Sequence, residues 1–536
     1  MFLFFKKHSI LALILALASL ELFSFFGYLH PLAGIILFWL IIAAVLAVSL
    51  KRLEYGLLIA LAELFIGSKG YLFSLDIGGT VVSIRIAIFL AIMCIWLFRV
   101  FNRSFRIGFW NLIGNCSATA GSRDWREKLK IGNFLDWYLI LFAALAIGLI
   151  RAIILRNDYG NIFFDFNAFL YFAYLFPLAE ILREKINWER IWKVAAASVS
   201  WAALKTFLIF YVFAHGMSPY TPMVYKWIRD TGVGEITKMD QGFFRVFIQG
   251  QIYELLALII LFGLIGYWCS IRYQVSNIKH QELSAINQGS LVKSHWFLCA
   301  GLASVVIISL SRSFWVGGAA GLIALFGLMT FGLKMKWRAI GLFSLYIIGI
   351  FAAGYVMIFA LMNVPPRKGK SASLSSLVSE RATTQEAAGQ SRMELLKPLW
   401  IGILKHPIIG SGFGATVTYN SKDPRILQNN PSGEYTTFAF EWGYLDLWYK
   451  MGILGPLAYL GLIGSILLAL WRVIKDKSEM VLEGINVQAI SLGVFGALIA
   501  LAAVHFLTPY LNHPLGIGFI ILSSLFAVFA GKQKST

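Results

Sequence analysis

The residues in this sequence that could do chemistry lie inside apolar runs or at their rims, where a charge is costly to hold. Arg312 is the clearest. It sits in Ser309-Leu310-Ser311-Arg312-Ser313-Phe314-Trp315, at a break between two apolar runs, and Gly317, Gly318 and Gly321 follow it. A planar guanidinium fork suits phosphate oxygens, so Arg312 reads as an anion site. It also reads as an interfacial arginine whose head reaches for water. Arg245 is the second, in Gln241-Gly242-Phe243-Phe244-Arg245-Val246-Phe247-Ile248-Gln249-Gly250-Gln251. Arg245, Gln249 and Tyr253 are spaced four apart, which predicts one shared helix face, with Glu254 deeper on another side. Such a stripe lines a polar site or knits helices together.

Glu441 and Asp446 lie in Phe440-Glu441-Trp442-Gly443-Tyr444-Leu445-Asp446-Leu447-Trp448. A carboxylate at an apolar mouth can have a raised pKa and act as a base. At a helix start it can instead complement the helix dipole. Arg392, with Glu394 close by, opens a helical pattern and reads as a substrate contact or as an exposed ion pair. His406, before Pro407, reads as a general base or as a helix-end cap. Arg85, Arg151, Lys205 and Lys450 are further charges in or near apolar runs. Lys205 and Lys450 are candidates to neutralise Glu254 or Asp446.

The elements that must position these groups are apolar almost throughout. Of the 536 residues, 59% are hydrophobic and 14% charged, against about a quarter charged in soluble proteins. Mean hydropathy is +0.74. Apolar runs long enough to cross about 30 Å of hydrocarbon recur along the chain. They are continuous rather than alternating, which predicts helices and not a barrel. The fold class expected is an all-α polytopic membrane protein of about 14 spans. They fall at roughly 9–26, 31–50, 53–68, 80–100, 134–154, 162–181, 190–214, 246–268, 294–311, 314–332, 339–362, 444–471, 485–507 and 514–530. Residues 1–362 hold the first 11, a long loop covers 363–443, and 444–536 hold the last three. Within the loop a helical pattern near 384–405 leads into His406-Pro407-Ile408-Ile409-Gly410-Ser411-Gly412-Phe413-Gly414, a tight glycine-rich turn.

Charge orients the spans. The formal net charge is +19, and about 26 lysines and arginines collect in alternate loops, from Lys6 and Lys7 through Lys51 and Arg52 to Lys532 and Lys534. The positive-inside rule puts those loops and both termini in the cytoplasm, and 215–245 and 363–443 outside. A basic balance spread over short loops suits membrane lipid and an anionic substrate rather than nucleic acid. Lys6-Lys7 with the apolar run after it reads as an uncleaved first span, or else as a signal peptide with Ala16-Leu17-Ala18 as its cleavage site. The cysteines, Cys94, Cys116, Cys269 and Cys299, include no CxxC pair and none in the long loop, and give no evidence for a disulfide or a metal site.

Three elements, in order, resemble the O-antigen polymerase and ligase superfamily, bacterial membrane glycosyltransferases of the GT-C type. They are the serine-arginine-serine break with its glycine-rich span at 309–321, the loop helix running into the 406–414 turn, and Tyr444-Leu445-Asp446-Leu447-Trp448-Tyr449-Lys450-Met451-Gly452-Ile453-Leu454-Gly455. The resemblance covers roughly 240–470 and implies a metal-independent enzyme without cofactor in the bacterial inner membrane, working on the periplasmic side. Its donor and acceptor would be undecaprenyl-diphosphate-linked glycans, its partners a flippase and a chain-length regulator. The family's two key arginines would fall on Arg245 and Arg312. Glu441 stands where ligases of the superfamily carry an essential histidine, a departure that favours a polymerase, although the paired Arg-x10-Gly loop motifs of some polymerases are absent. Glu441 would take the acceptor's proton, with Arg392, His406, Tyr444, Asp446 and Gln249 as substrate contacts. The alternatives are a ligase transferring the glycan to lipid A core or to protein and, from other classes, a secondary transporter, a lipid flippase or a membrane scaffold.

Overall fold

The computed structural model describes residues 10–113, 134–217, 220–239, 242–274, 296–365, 387–476, 481–482 and 485–531. Lys6 and Lys7, the segments 114–133 and 275–295, the stretch from 366 to 386, and Lys532 and Lys534 lie outside them. Among the described residues, 12 helices are long and apolar enough to cross a membrane. The chain begins with α1 (Ile10–Leu29), α2 (Pro31–Lys51) and the short α3 (Leu53–Ile66). A hairpin of β1 (Ser74–Ile77) and β2 (Thr80–Ser83) leads to α4 (Ile84–Ile113) and α5 (Phe134–Ile154). Then come α6 (Tyr159–Ile181), which tightens to a 3₁₀ turn over Asn167–Tyr174, and α7 (Lys185–Ala214). After α7 come α8 (Tyr220–Asp230), the hairpin β3 (Gly234–Lys238) and β4 (Phe244–Ile248), and α9 (Ile252–Gln274). Next are α10 (Trp296–Ser309), α11 (Arg312–Gly327) and α12 (Trp337–Asn363).

The long loop contributes α13 (Ala387–Lys405), β5 (Val417–Asn420), α14 (Pro424–Asn429) and β6 (Glu434–Thr437). The chain returns through α15 (Gly443–Met451) to α16 (Leu454–Lys475). After a minimal hairpin of β7 (Val481–Leu482) and β8 (Ile485–Asn486) come α17 (Val487–Leu507), a one-turn 3₁₀ segment Tyr510–Asn512, and α18 (Pro514–Gly531). Among the described residues every sheet is a two-stranded antiparallel pair, so the body of the protein is helical, as expected.

Two expectations are corrected. The span expected over 246–268 starts later, because Phe244-Arg245-Val246-Phe247-Ile248 is a strand paired with Gly234–Lys238, Arg245 opposite Thr237. Aromatic and β-branched residues in alternation favour a strand, and Gly242 takes a positive φ of 80° before it. Arg245 and Tyr253 therefore do not share a helix face. The span expected over 444–471 is likewise two helices, parted at Gly452. There φ is +68°, and an added Cβ would stand 1.9 Å from the Ile408 carbonyl oxygen.

At the centre, α9 and α11 both pack along α17. Without a strong hydrophobic drive between helices in lipid, close approach through small residues supplies the attraction. A Cβ on Gly263 would lie 2.3 Å from the Gly493 Cα, and one on Gly317 would lie 2.3 Å from Val504 Cγ2. The glycines after Arg312 thus hold α11 against α17 and set the height of the arginine. Two pairs of opposite charges are buried among the helices, each partner offsetting the other's desolvation. Arg85 Nε meets Glu63 Oε2 at 2.8 Å, and Lys205 Nζ meets Glu21 Oε1 at 2.6 Å.

Candidate active site

The backbone breaks between α10 and α11. Leu310 takes a positive φ of 43°, rare for a residue with a side chain, and Ser311 caps α11 in an extended conformation, leaving Arg312 as the first helical residue. The break frees the carbonyl of Ser309, and Arg245 Nε donates to it at 2.8 Å. The Arg245 guanidinium also lies over the Phe247 ring, 4.9 Å from its centroid. Phe247 packs on Phe314 at 5.8 Å, and Phe314 on Tyr510 at 6.1 Å. The Tyr510 hydroxyl donates to the Gln249 carbonyl oxygen at 3.1 Å. Arg245 and Gln249 therefore both reach one aromatic row, from a strand and a 3₁₀ turn, and the row includes Phe314 of the helix that Arg312 opens. Burial lifts the Tyr510 phenol above its ordinary range, Glu254 adds to that, and Arg245 opposes it. Both arginines are half-buried, the environment in which a guanidinium keeps its charge and meets an anion with little competing water.

A second group forms where the long loop returns. Arg392 of α13 makes an ion pair with Glu441, and Glu394 accepts the Lys422 amide at 3.0 Å. The Glu441 side chain is 50% exposed, so the apolar mouth expected around it is not there. Trp442 Nε1 donates to the Arg392 carbonyl oxygen at 3.0 Å, which pins the loop helix to the start of α15. The Tyr444 hydroxyl donates to the Ala502 carbonyl of α17, and its ring stands edge-on to His505 at 4.6 Å. His406 is half-buried at the end of α13, with its amide bonded to the Ile403 carbonyl and its own carbonyl accepting from the Gly410 amide. The end of α17 lies between the two groups, since Val504 faces α11 at Gly317 while His505 faces α15 at Gly443.

Asp446 belongs to a third, buried group. Lys450 Nζ lies 2.6 Å from Asp446 Oδ1 and 2.5 Å from Asp165 Oδ1 on α6. Asn512 Nδ2 donates to the other Asp446 oxygen. Asp165 Oδ2 in turn accepts the Gly414 amide at 2.9 Å, from the glycine-rich turn. In that turn Gly410, Gly412 and Gly414 all take positive φ, and Ser411 and Gly412 donate to the carbonyls of Tyr449 and Lys450. Burial pushes the Asp446 carboxyl up; Lys450 opposes this and Asp165 reinforces it. Burial pulls Lys450 down, but the two carboxylates outweigh it and hold the ammonium above its ordinary value. Lys450 thus neutralises Asp446, whereas Lys205 serves Glu21, and both oxygens of the buried Glu254 lack a hydrogen-bond partner.

Sequence reading missed Asp165, Tyr510 and Asn512. Each carried a signal. Asp165 is a carboxylate within an apolar run, and Pro509-Tyr510-Leu511-Asn512-His513-Pro514 is a proline-bracketed polar turn between two spans.

No curated protein matches the chain. Residues 297–460 match the family model described as O-antigen ligase, a stretch that takes in Arg312, Arg392, His406, Glu441, Tyr444 and Asp446 but neither Arg245 nor Gln249. The match falls within the stretch on which the sequence resembles the O-antigen polymerase and ligase superfamily and is consistent with that resemblance.

Proposed function

We propose that this chain is a polymerase that joins undecaprenyl-diphosphate-linked glycans at the periplasmic side of the bacterial inner membrane. The observation that carries the reading is the bond from Arg245 to the Ser309 carbonyl, three residues before Arg312. The Arg245 guanidinium bonds the helix break from which Arg312 opens α11, a setting suited to an anionic group such as a diphosphate. A hydroxyl of the acceptor glycan attacks the anomeric carbon of the donor. The new C–O bond forms as the bond to the diphosphate oxygen breaks, and the departing electron pair stays on undecaprenyl diphosphate. Negative charge grows on that leaving group, so fixed cations stabilise the transition state more than the ground state. The acceptor's proton passes to Glu441, held beside Arg392 at the rim by which an outside acceptor arrives. The lipid tail stays in the bilayer, which is why an all-helical body suits the task.

The family's description as ligases supports a second reading, in which the acceptor is lipid A core or protein. Glu441, in place of a histidine, favours the polymerase. Purified protein incubated with lipid-linked repeat units alone, with products read by size, decides between them. Elongation supports a polymerase. Turnover that requires a second class of acceptor supports a ligase. No release of undecaprenyl diphosphate under either condition removes the enzyme reading.

A further inference from the structure

An unbroken line of hydrogen bonds and ion pairs runs from the glycine-rich turn of the long loop to the aromatic row under Arg245. The Gly414 amide donates to Asp165, Asp165 meets Lys450, Lys450 meets Asp446, and Asn512 donates to Asp446. Asn512 ends the 3₁₀ turn that begins with Tyr510. Tyr510 packs on Phe314, two residues after Arg312, and donates to the carbonyl of Gln249, the residue that follows the strand of Arg245. Asp446 and Lys450 are each 3% exposed, so neither presents its charge to solvent. The Asp446 oxygens meet Lys450 and Asn512, and the ammonium meets Asp446 and Asp165. Two carboxylates around one ammonium is a costly thing to bury, and a hydrophobic replacement of the same volume is often at least as stable. Stability alone therefore does not account for it.

We propose that Asp446, Lys450 and Asn512 are positioning residues: they fix the Tyr510 turn, and through it the leaving-group site, to the returning long loop. The chain offers a mechanical reason. The Tyr510 turn is only three residues of 3₁₀ helix between prolines at 509 and 514; besides short-range backbone bonds, its Leu511 amide bonds His505 Nδ1 and its Leu511 carbonyl accepts from the Tyr459 hydroxyl. Its hold on α15 is the Asn512–Asp446 bond. Its hold on the arginine site is the Tyr510–Gln249 bond with the Phe314 contact. When the long loop seats a glycan, the load reaches Asp446 by way of Gly414 and Asp165 and is delivered to the turn beside Arg245. Transition-state stabilisation by preorganised cations is lost when the supporting groups drift, and a displacement of about 1 Å can cost a hundredfold in rate.

The inference rests on the glycosyl-transfer reading, and an exchange of partners tests it. Asp446→Asn places two amides together, and Asn512→Asp places two carboxylates together; the double variant restores a carboxylate–amide pair with the roles exchanged. Each single variant is expected to lower kcat for undecaprenyl diphosphate release by about tenfold to a hundredfold, with KM for the lipid-linked donor changed less than about threefold. The double variant is expected to recover most of the loss, a non-additivity that merely sharing a core would not give. Losses that simply multiply in the double variant overturn the proposal. If the wild-type protein releases no undecaprenyl diphosphate at all, the reaction is misassigned. The same cycle is then read in thermal unfolding of the detergent-solubilised chain, where additive shifts overturn the clamp and a rescued double variant supports it.

Discussion

Arg245 Nε lies 2.8 Å from the carbonyl oxygen of Ser309, so the strand that carries one candidate arginine is bonded to the helix break that carries the other. Neither residue is near the other in sequence, and the bond exists because Leu310 takes a left-handed turn that ends α10 early. The freed carbonyl needs a donor, and the guanidinium provides one while it stays half-buried beside Phe247.

Arg245→Lys tests whether that geometry matters. A lysine keeps the charge but cannot bond the Ser309 carbonyl and present a planar fork together. Turnover is expected to fall to nearly the level of Arg245→Met, about a hundredfold below wild type. Steady-state rates of undecaprenyl diphosphate release measure it, and a lysine variant at wild-type speed reduces Arg245 to a diffuse positive charge.

Glu441→Gln separates a proton acceptor from a rim contact. A half-exposed ion pair with Arg392 is worth at most about 1 kcal/mol, so a structural role predicts little more than a fivefold change. As the acceptor of the proton, Glu441 should cost the amide variant about a hundredfold or more in rate. Full-speed elongation by purified Glu441→Gln across pH would falsify the assignment.

Lys205→Met bears on stability rather than chemistry. It removes the partner of Glu21, whose side chain is 4% exposed, and leaves a carboxylate buried without compensation. A loss of about 3–5 kcal/mol is expected, seen as a large drop in melting temperature in detergent. The pair removed together, as Glu21→Leu with Lys205→Met, should be much closer to wild type.

Asp446 gives a pH dependence with a defined sign. Burial raises its carboxyl from 3.8 to about 7, against Lys450 on the same helix, with Asp165 of α6 and Asn512 of the 3₁₀ turn as its other neighbours. A folded pKa above the unfolded one means the folded state holds the proton more tightly. The stabilisation is complete below the unfolded value and is lost as pH rises through about 7. Melting temperature should therefore decline over that window in wild type, and Asp446→Asn should flatten the decline.

Much of the fold was legible from hydropathy. The helix Phe134–Ile154 has the bounds its apolar run predicts, and the glycines after Arg312 pack α11 against α17 as small residues in a span should. Arg245 was placed on a helix face because a short apolar run of Phe, Val and Ile serves a strand or a helix alike, and the pairing with Gly234–Lys238 lay in tertiary structure. The partners of Lys450 were not legible for a different reason. Asp165 is 285 residues away in sequence, and only the packing of α6 on α15 brings the two within 2.5 Å. Charges in spans announce that partners exist, and the fold names them.

The central claim is that Arg312 grips the diphosphate of the lipid carrier through its fork. The measurement is release of undecaprenyl diphosphate from purified lipid-linked repeats by wild type, Arg312→Lys and Arg312→Ala, each checked for normal folding in detergent. Both variants are expected to be slowed about a hundredfold, with lysine little better than alanine. Wild-type release by Arg312→Ala would contradict the account.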